Sequence, residues 1–259
     1  SPKSHSIYGD FLLREMKLEE ARSSFETAVE IEPNNQIIWN QLLFLDAELE
    51  DYPNMARHGN EAVELFPAEP SFYLYTGFAH TNLAQHEEAI EMFETGKEMV
   101  FNNDLTLFEF YSNLGSSYHD VGRHAESDKM YDKALKIDPE NAFVLNNYSY
   151  YLSLRKTKLE KAQTMARKAN EVQPGSASFE DTFAWVLFQS GKYAEARIWI
   201  EKAMSHGGEA SGEVQEHYGD ILSKLGEVEM AKRAWNLAKD LGGHSDELIE
   251  KIAKGRIEE

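Results

Sequence analysis

"YSNLGSSYHDVGRHAESDKMYDKALKIDPEN", Tyr111 to Asn141, holds no reactive pattern, yet its spacing decides the fold. Tyr111, Leu114, Gly115 and Tyr118 lie three or four residues apart, so they share one helix face. Ser127, Tyr131 and Ala134 repeat that rhythm, and Pro139 stops the second helix. The stretch predicts two helices joined by a tight turn, with Gly115 at the point where only a small side chain fits.

The pattern recurs along the chain. The Gly115 slot is matched by Gly9, Leu43, Gly77, Ser149, Ala184 and Gly219, with Leu43 the one large residue. A partner slot follows at Ala21, Met55, Ala89, Ser127, Ala162, Ala196 and Ala231. Four residues later stand Phe25, Phe93, Tyr131, Ile200 and Trp235, while Gly59 and Ala166 break the rule. Pro33, Pro67, Pro139 and Pro174 close successive units.

Written out, the rhythm of Tyr111 to Pro139 is W-x2-L-G-x2-Y, then A-x3-F, A and P, and it resembles the tetratricopeptide repeat over nearly the whole chain. The resemblance implies an all-α fold, a right-handed α-solenoid of seven antiparallel helix pairs with a C-terminal capping helix. The array is expected at 1–245, with units near 2–35, 36–69, 70–103, 108–141, 142–176, 177–211 and 212–245, and the cap at 246–259. Asp104 to Leu107 are inserted and are expected to lengthen the next first helix. "SHGGEASGE", Ser205 to Glu213, replaces a closing proline with glycines and is expected to be the loosest junction. In "SDELIEKIAKGRIEE", Leu248, Ile249, Ile252 and Ile257 make an amphipathic helix, with Ser245 as its expected N-cap.

Composition narrows the function. Hydrophobic residues are 42% of 259, enough for a core, and cysteine is absent, which excludes disulfides and thiolate chemistry. Lys and Arg total 26 against 45 Asp and Glu, a net charge of -19 that repels phosphate backbones and anionic membranes. Nucleic acid is therefore not an expected partner. The acidity serves solubility, and its sharper reading is a preference for basic partners. No apolar run reaches the roughly 20 residues of a membrane span, so no direct membrane insertion is expected. The chain opens SPKSHSIYGD without Met and with no cap before its first unit, so it is expected to be trimmed at that end. Cytoplasmic and periplasmic locations both fit.

In the architecture that the resemblance implies, signature residues are spent on packing and the first helices line a concave groove. On that face the candidate partner-binding residues are Asn40, Phe44, Phe78, Asn146, Tyr150, Asp181, Trp185 and Phe188. The aromatics offer contact area that packing does not require, and an Asn or Asp one turn earlier can pair with an extended backbone. The Tyr150–Trp185–Phe188 group is the strongest candidate anchor. Basic groove residues are confined to Lys3, Arg14 and Lys224, so a Lys/Arg clamp for a chaperone carboxylate tail is not expected.

No catalytic constellation is present. "HEEA" at His86 has no second histidine one turn on, and His119 and His124 in "HDVGRH" read as a surface pair across a turn. No Walker-type phosphate loop occurs. No enzyme activity, cofactor or metal site is predicted. The expected function is a protein–protein interaction module or scaffold that binds a partner peptide in the groove. The alternative is a structural or self-associating repeat region of a larger, envelope-associated or multidomain protein with no peptide ligand of its own.

Overall fold

The computed structural model describes residues 2–243 and 246–257. Among the described residues there are fifteen α-helices and no strand. The chain forms two compact units, Ser1–Ile137 and Asp138–Glu259. Unit 1 holds α1 (Pro2–Arg14), α2 (Leu18–Ile31), α3 (Gln36–Glu48), α4 (Tyr52–Leu65), α5 (Pro70–Asn82), α6 (His86–Glu98), α7 (Asp104–Asp120) and α8 (His124–Ile137). Unit 2 holds α9 (Ala142–Leu154), α10 (Leu159–Val172), α11 (Ala177–Gln189), α12 (Tyr193–Ser205), α13 (Gly212–Lys224), α14 (Val228–Asp240) and α15 (Asp246–Lys254). Odd-numbered helices up to α13 are the first members of seven helix pairs, four in unit 1 and three in unit 2.

The small slot works by close approach between the two helices of a pair. A Cβ added at Gly77 would sit 2.4 Å from the Phe93 ring, and one at Gly219 would sit 2.4 Å from the Trp235 indole. At Gly115 the clash would be with Tyr131 at 2.9 Å, and at Gly9 with Phe25 at 2.9 Å. Each ring is the residue sixteen positions after its glycine, so slot and ring form one lock that is fully packed. The second pair exchanges the sizes. Leu43 fills the slot and is fully buried, while Gly59 stands in the ring position, where an added Cβ would lie 2.2 Å from Thr76 Oγ1 of the next helix. The two departures in the sequence therefore belong together.

Helix starts and turns follow the same register. Asn35, Glu69, Asn103, Asn141, Ser176 and Ser211 each accept a backbone N–H of the first helix that follows, taking up a donor that has no partner inside the helix. Within each pair a turn residue is left-handed: Met16, Glu50, Ala84, Gly122, Lys156, Gly191 and Gly226, with Lys158 a second one in the fifth pair. Glycine adopts this conformation freely, whereas a side chain there costs about 1–2 kcal/mol. Residues 104–107 become the first turn of α7, which has 17 residues where α5 and α9 have 13.

The "SHGGEASGE" junction is more ordered than its glycines suggest. Gly208–Ala210 form a 3-10 turn, Gly208 is buried, and the Gln215 amide donates to the Glu209 carbonyl at 3.0 Å. Beyond it, Leu248 of α15 is fully buried with Leu222, Ala231, Trp235 and Ala238, and Ile252 and Ile257 pack against that cluster. The expected cap Ser245 and the Lys3 side chain lie outside the described residues.

Candidate functional site

The first-helix face of unit 1 is open. Phe44 on α3 and Phe78 on α5 occupy equivalent slots of adjacent helices and are 39% and 42% exposed. Phe78 meets Tyr52 edge-on at 6.0 Å between ring centroids, which leaves its other face to solvent. One turn before Phe44, Asn40 donates to the Gln36 carbonyl at 3.1 Å and accepts from Ser71 Oγ at 3.3 Å. Tyr75 lies half-buried nearby. Burial, then the negative charges of Glu109 and Glu48, raise its pKa above the ordinary phenol value. Burial also raises the Glu109 carboxyl. Among the described residues no cation pairs with either glutamate.

In unit 2 the corresponding face is closed on itself. Asn146, Asp181, Glu216 and Lys251 stand at a spacing of 35 on α9, α11, α13 and α15, so the last helix keeps the register of the repeat. Lys251 Nζ donates to Glu216 Oε1 and to Asp220 Oδ2, both at 2.8 Å, and Trp235 Nε1 donates to Asp220 Oδ1 at 2.9 Å. Burial pulls the Lys251 pKa down, but Asp220 and Glu216 outweigh it and hold the ammonium above its usual value. For Asp220 burial wins over Lys251 and Trp235, and its pKa is raised.

A second cluster in unit 2 joins three helices. Tyr150 of α9 donates from its hydroxyl to Glu213 Oε1 of α13 at 2.8 Å. Asp181 Oδ1 of α11 lies 2.8 Å from His217 Nδ1 of α13. The Trp185 indole stacks on His217 at 4.0 Å and on Phe188 at 4.8 Å between centroids. Burial would lower the His217 pKa, but Asp181, with help from Glu213 and Asp220, holds it above the ordinary imidazole value. Burial and Glu213 raise the Tyr150 phenol.

The structure thus brings Tyr150, Asp181, Trp185 and Phe188 together in unit 2, whereas Asn40, Phe44 and Phe78 share a face of unit 1. Asn146 is buried, with its Nδ2 on Asn147 Oδ1 at 3.4 Å and its Oδ1 without a partner. Phe188 is only 9% exposed and Trp185 is half-buried, so little of either ring faces solvent. His217 is the residue that sequence reasoning missed. Its signal was available: Glu213 and His217 are four apart on one helix, hence on one face. His119 and His124 approach to 5.3 Å between rings across the α7–α8 turn.

Comparison with known proteins places the geometry. A family model described as "Tetratricopeptide repeat" matches residues 3–35 and 108–141. A TPR repeat-containing protein of Pseudomonas aeruginosa is 27% identical over 148 residues, 57% of this chain and 24% of that protein. The chain spans about a quarter of the length of the curated relatives it matches. A crystal structure of a tetratricopeptide repeat protein from Parabacteroides merdae superposes with a TM-score of 0.74 at 16% identity, covering 98% of both chains. YrrB, described as a TPR protein with an unusual peptide-binding site, gives 0.55 at 15% identity over 70% of this chain and 91% of its own. No helix among the described residues is long and apolar enough to cross a membrane. Seven helix pairs in register, each with its slot and turn, and a family model matched at the first and fourth, give this chain the fold of tetratricopeptide repeat proteins.

Proposed function

We propose that the chain binds a segment of a partner protein along the first-helix face of unit 1. The tetratricopeptide fold supports a protein–protein interaction or scaffold role. The finer reading rests on one observation: Phe44 and Phe78 stand exposed in equivalent slots of a face that also carries Tyr75, with the carboxylates of Glu48 and Glu109 acting on it and no cation paired with either among the described residues. Paired exposed aromatics give a partner apolar anchorage at low entropic cost. Exposed carboxylates without a cation of their own favour a Lys or Arg side chain arriving between them. Asn40 has one remaining amide N–H for the partner's backbone. The expected partner is an extended, basic and apolar segment. In unit 2, Tyr150, Trp185 and Phe188, with Asn146 and Asp181 beneath them, provide a second, shallower contact. YrrB, with its peptide-binding site, is a precedent for this use of the fold.

The test is a capture experiment on source-cell lysate with mass-spectrometric readout, comparing the native protein with Phe44→Ala/Phe78→Ala and with Tyr150→Glu/Trp185→Glu. A partner lost with the first double variant and retained in part with the second supports the reading. Equal capture by native protein and Phe44→Ala/Phe78→Ala, at unchanged helicity, rejects it.

A further inference from the structure

We propose that Asp181, Glu213 and His217 form a binding site for one first-row divalent transition-metal ion of the Zn2+ type. Among the described residues this is the group of three whose carboxylate and imidazole ligand atoms all lie within 4.8 Å of one another. The site lies wholly in unit 2.

Three features make it a built site rather than a chance meeting of charges. Glu213 and His217 project from the same face of α13 one turn apart, and Asp181 comes from the adjacent first helix, so two rigid elements set the ligands. Two of the three ligands are oriented from outside: the Tyr150 hydroxyl holds the Glu213 carboxylate at 2.8 Å, and the Trp185 indole lies against the His217 ring at 4.0 Å. Finally, the surroundings contain buried polar atoms that the protein leaves unpartnered. Chief among them is Nε1 of Trp185, whose indole ring stacks on His217. A buried group without a partner calls for an explanation, and an ion with its bound water supplies one.

The donor set selects the ion. One imidazole nitrogen with two carboxylate oxygens suits Zn2+, Co2+ or Ni2+, whereas Mg2+ and Ca2+ favour oxygen alone. With metal–ligand distances of about 2.0–2.2 Å, Asp181 has only to open slightly from its 2.8 Å contact with His217. On binding, His217 Nδ1 releases its proton to solvent and the ion takes that place between the two carboxylates. Three protein ligands leave a fourth position, and Glu213, the exposed member, marks the solvent side from which the ion enters and where a water binds.

The experiment strips the full chain with EDTA and titrates it with Co2+ and Zn2+ in mildly alkaline buffer. It follows visible d–d absorption for Co2+, heat for Zn2+ and tryptophan fluorescence for both. The expected result is one saturable ion per chain, tetrahedral Co2+ bands and partial quenching. Glu213→Gln and His217→Ala should abolish the bands, and Tyr150→Phe should weaken affinity by about tenfold. Because His217→Ala also removes a buried ring, Glu213→Gln carries the decision: its side chain is exposed and its thermal melt should match the native one. Absence of saturable binding overturns the proposal, and so does a 1:1 site that survives Glu213→Gln, since the ion then sits elsewhere on the acidic surface.

Discussion

Units 1 and 2 carry the same repeat and use the same helix face in opposite ways. In unit 2, Lys251, Asp220, Glu216, Asp181, His217, Glu213 and Tyr150 satisfy one another, and Trp185 is stacked between residues of its own unit. In unit 1, Phe44, Phe78, Glu48 and Glu109 are left to solvent. The turns differ as well. Unit 1 has Met16, Glu50 and Ala84 in left-handed turn positions and glycine only at Gly122, whereas unit 2 has Gly191 and Gly226 there beside Lys156 and Lys158. The comparison teaches that a repeat fixes where a face lies, while the individual residues decide whether it is consumed by folding or left for a partner.

The largest expected effect probes the packed side of the comparison. Trp235→Ala removes the ring that closes on Gly219 and one of the donors to Asp220, and should destabilise unit 2 by about 3–5 kcal/mol in urea unfolding. A loss below about 1 kcal/mol would break the claim that this lock holds the unit. Lys251→Met strands Asp220 as a buried carboxylate with only the indole N–H, and is expected to cost about 3 kcal/mol. Hydrogen exchange should then rise across α15; unaltered exchange there would mean that Leu248 alone seats the helix.

The next effect separates the two faces directly. Phe44→Ala and Phe78→Ala should each weaken partner binding by about 2 kcal/mol while shifting stability by about 0.5 kcal/mol or less. Trp185→Ala should show the reverse signature, a stability loss with a smaller binding change, because its ring is already in use. Identical signatures for the two would remove the distinction. The smallest effects lie in the turns. Ala84→Gly should stabilise unit 1 by about 1 kcal/mol by relieving a left-handed alanine, and Gly191→Ala should destabilise unit 2 by a similar amount. Thermal melts that move the same way for both would contradict the turn assignment.

The fold was legible because slot, ring and cap each recur at a nearly constant spacing. Gly77 with Phe93 and Gly219 with Trp235 show this best, since every lock is local to one helix pair. Even the departures had a local cause, as Leu43 and Gly59 exchange sizes within one pair. The candidate site was legible only as a list of residues on a face. The sequence placed Tyr150, Asp181, Trp185 and Phe188 on first helices, but it does not say that Glu213 would take the tyrosine hydroxyl or that His217 would lie on the indole. The expectation that the Tyr150–Trp185–Phe188 group is the main anchor gives way in our proposal to Phe44 and Phe78, because exposure depends on what the next helix brings.

By itself, then, the sequence determined the all-α class and the seven helix pairs. Periodicity and small-slot packing act between neighbours in the chain, so one repeat's residues suffice to encode them. Tertiary structure alone decided which polar groups were spent. A carboxylate on α11 meets an imidazole on α13 only after two turns and a helix have been folded between them, and neither residue's own repeat records the encounter.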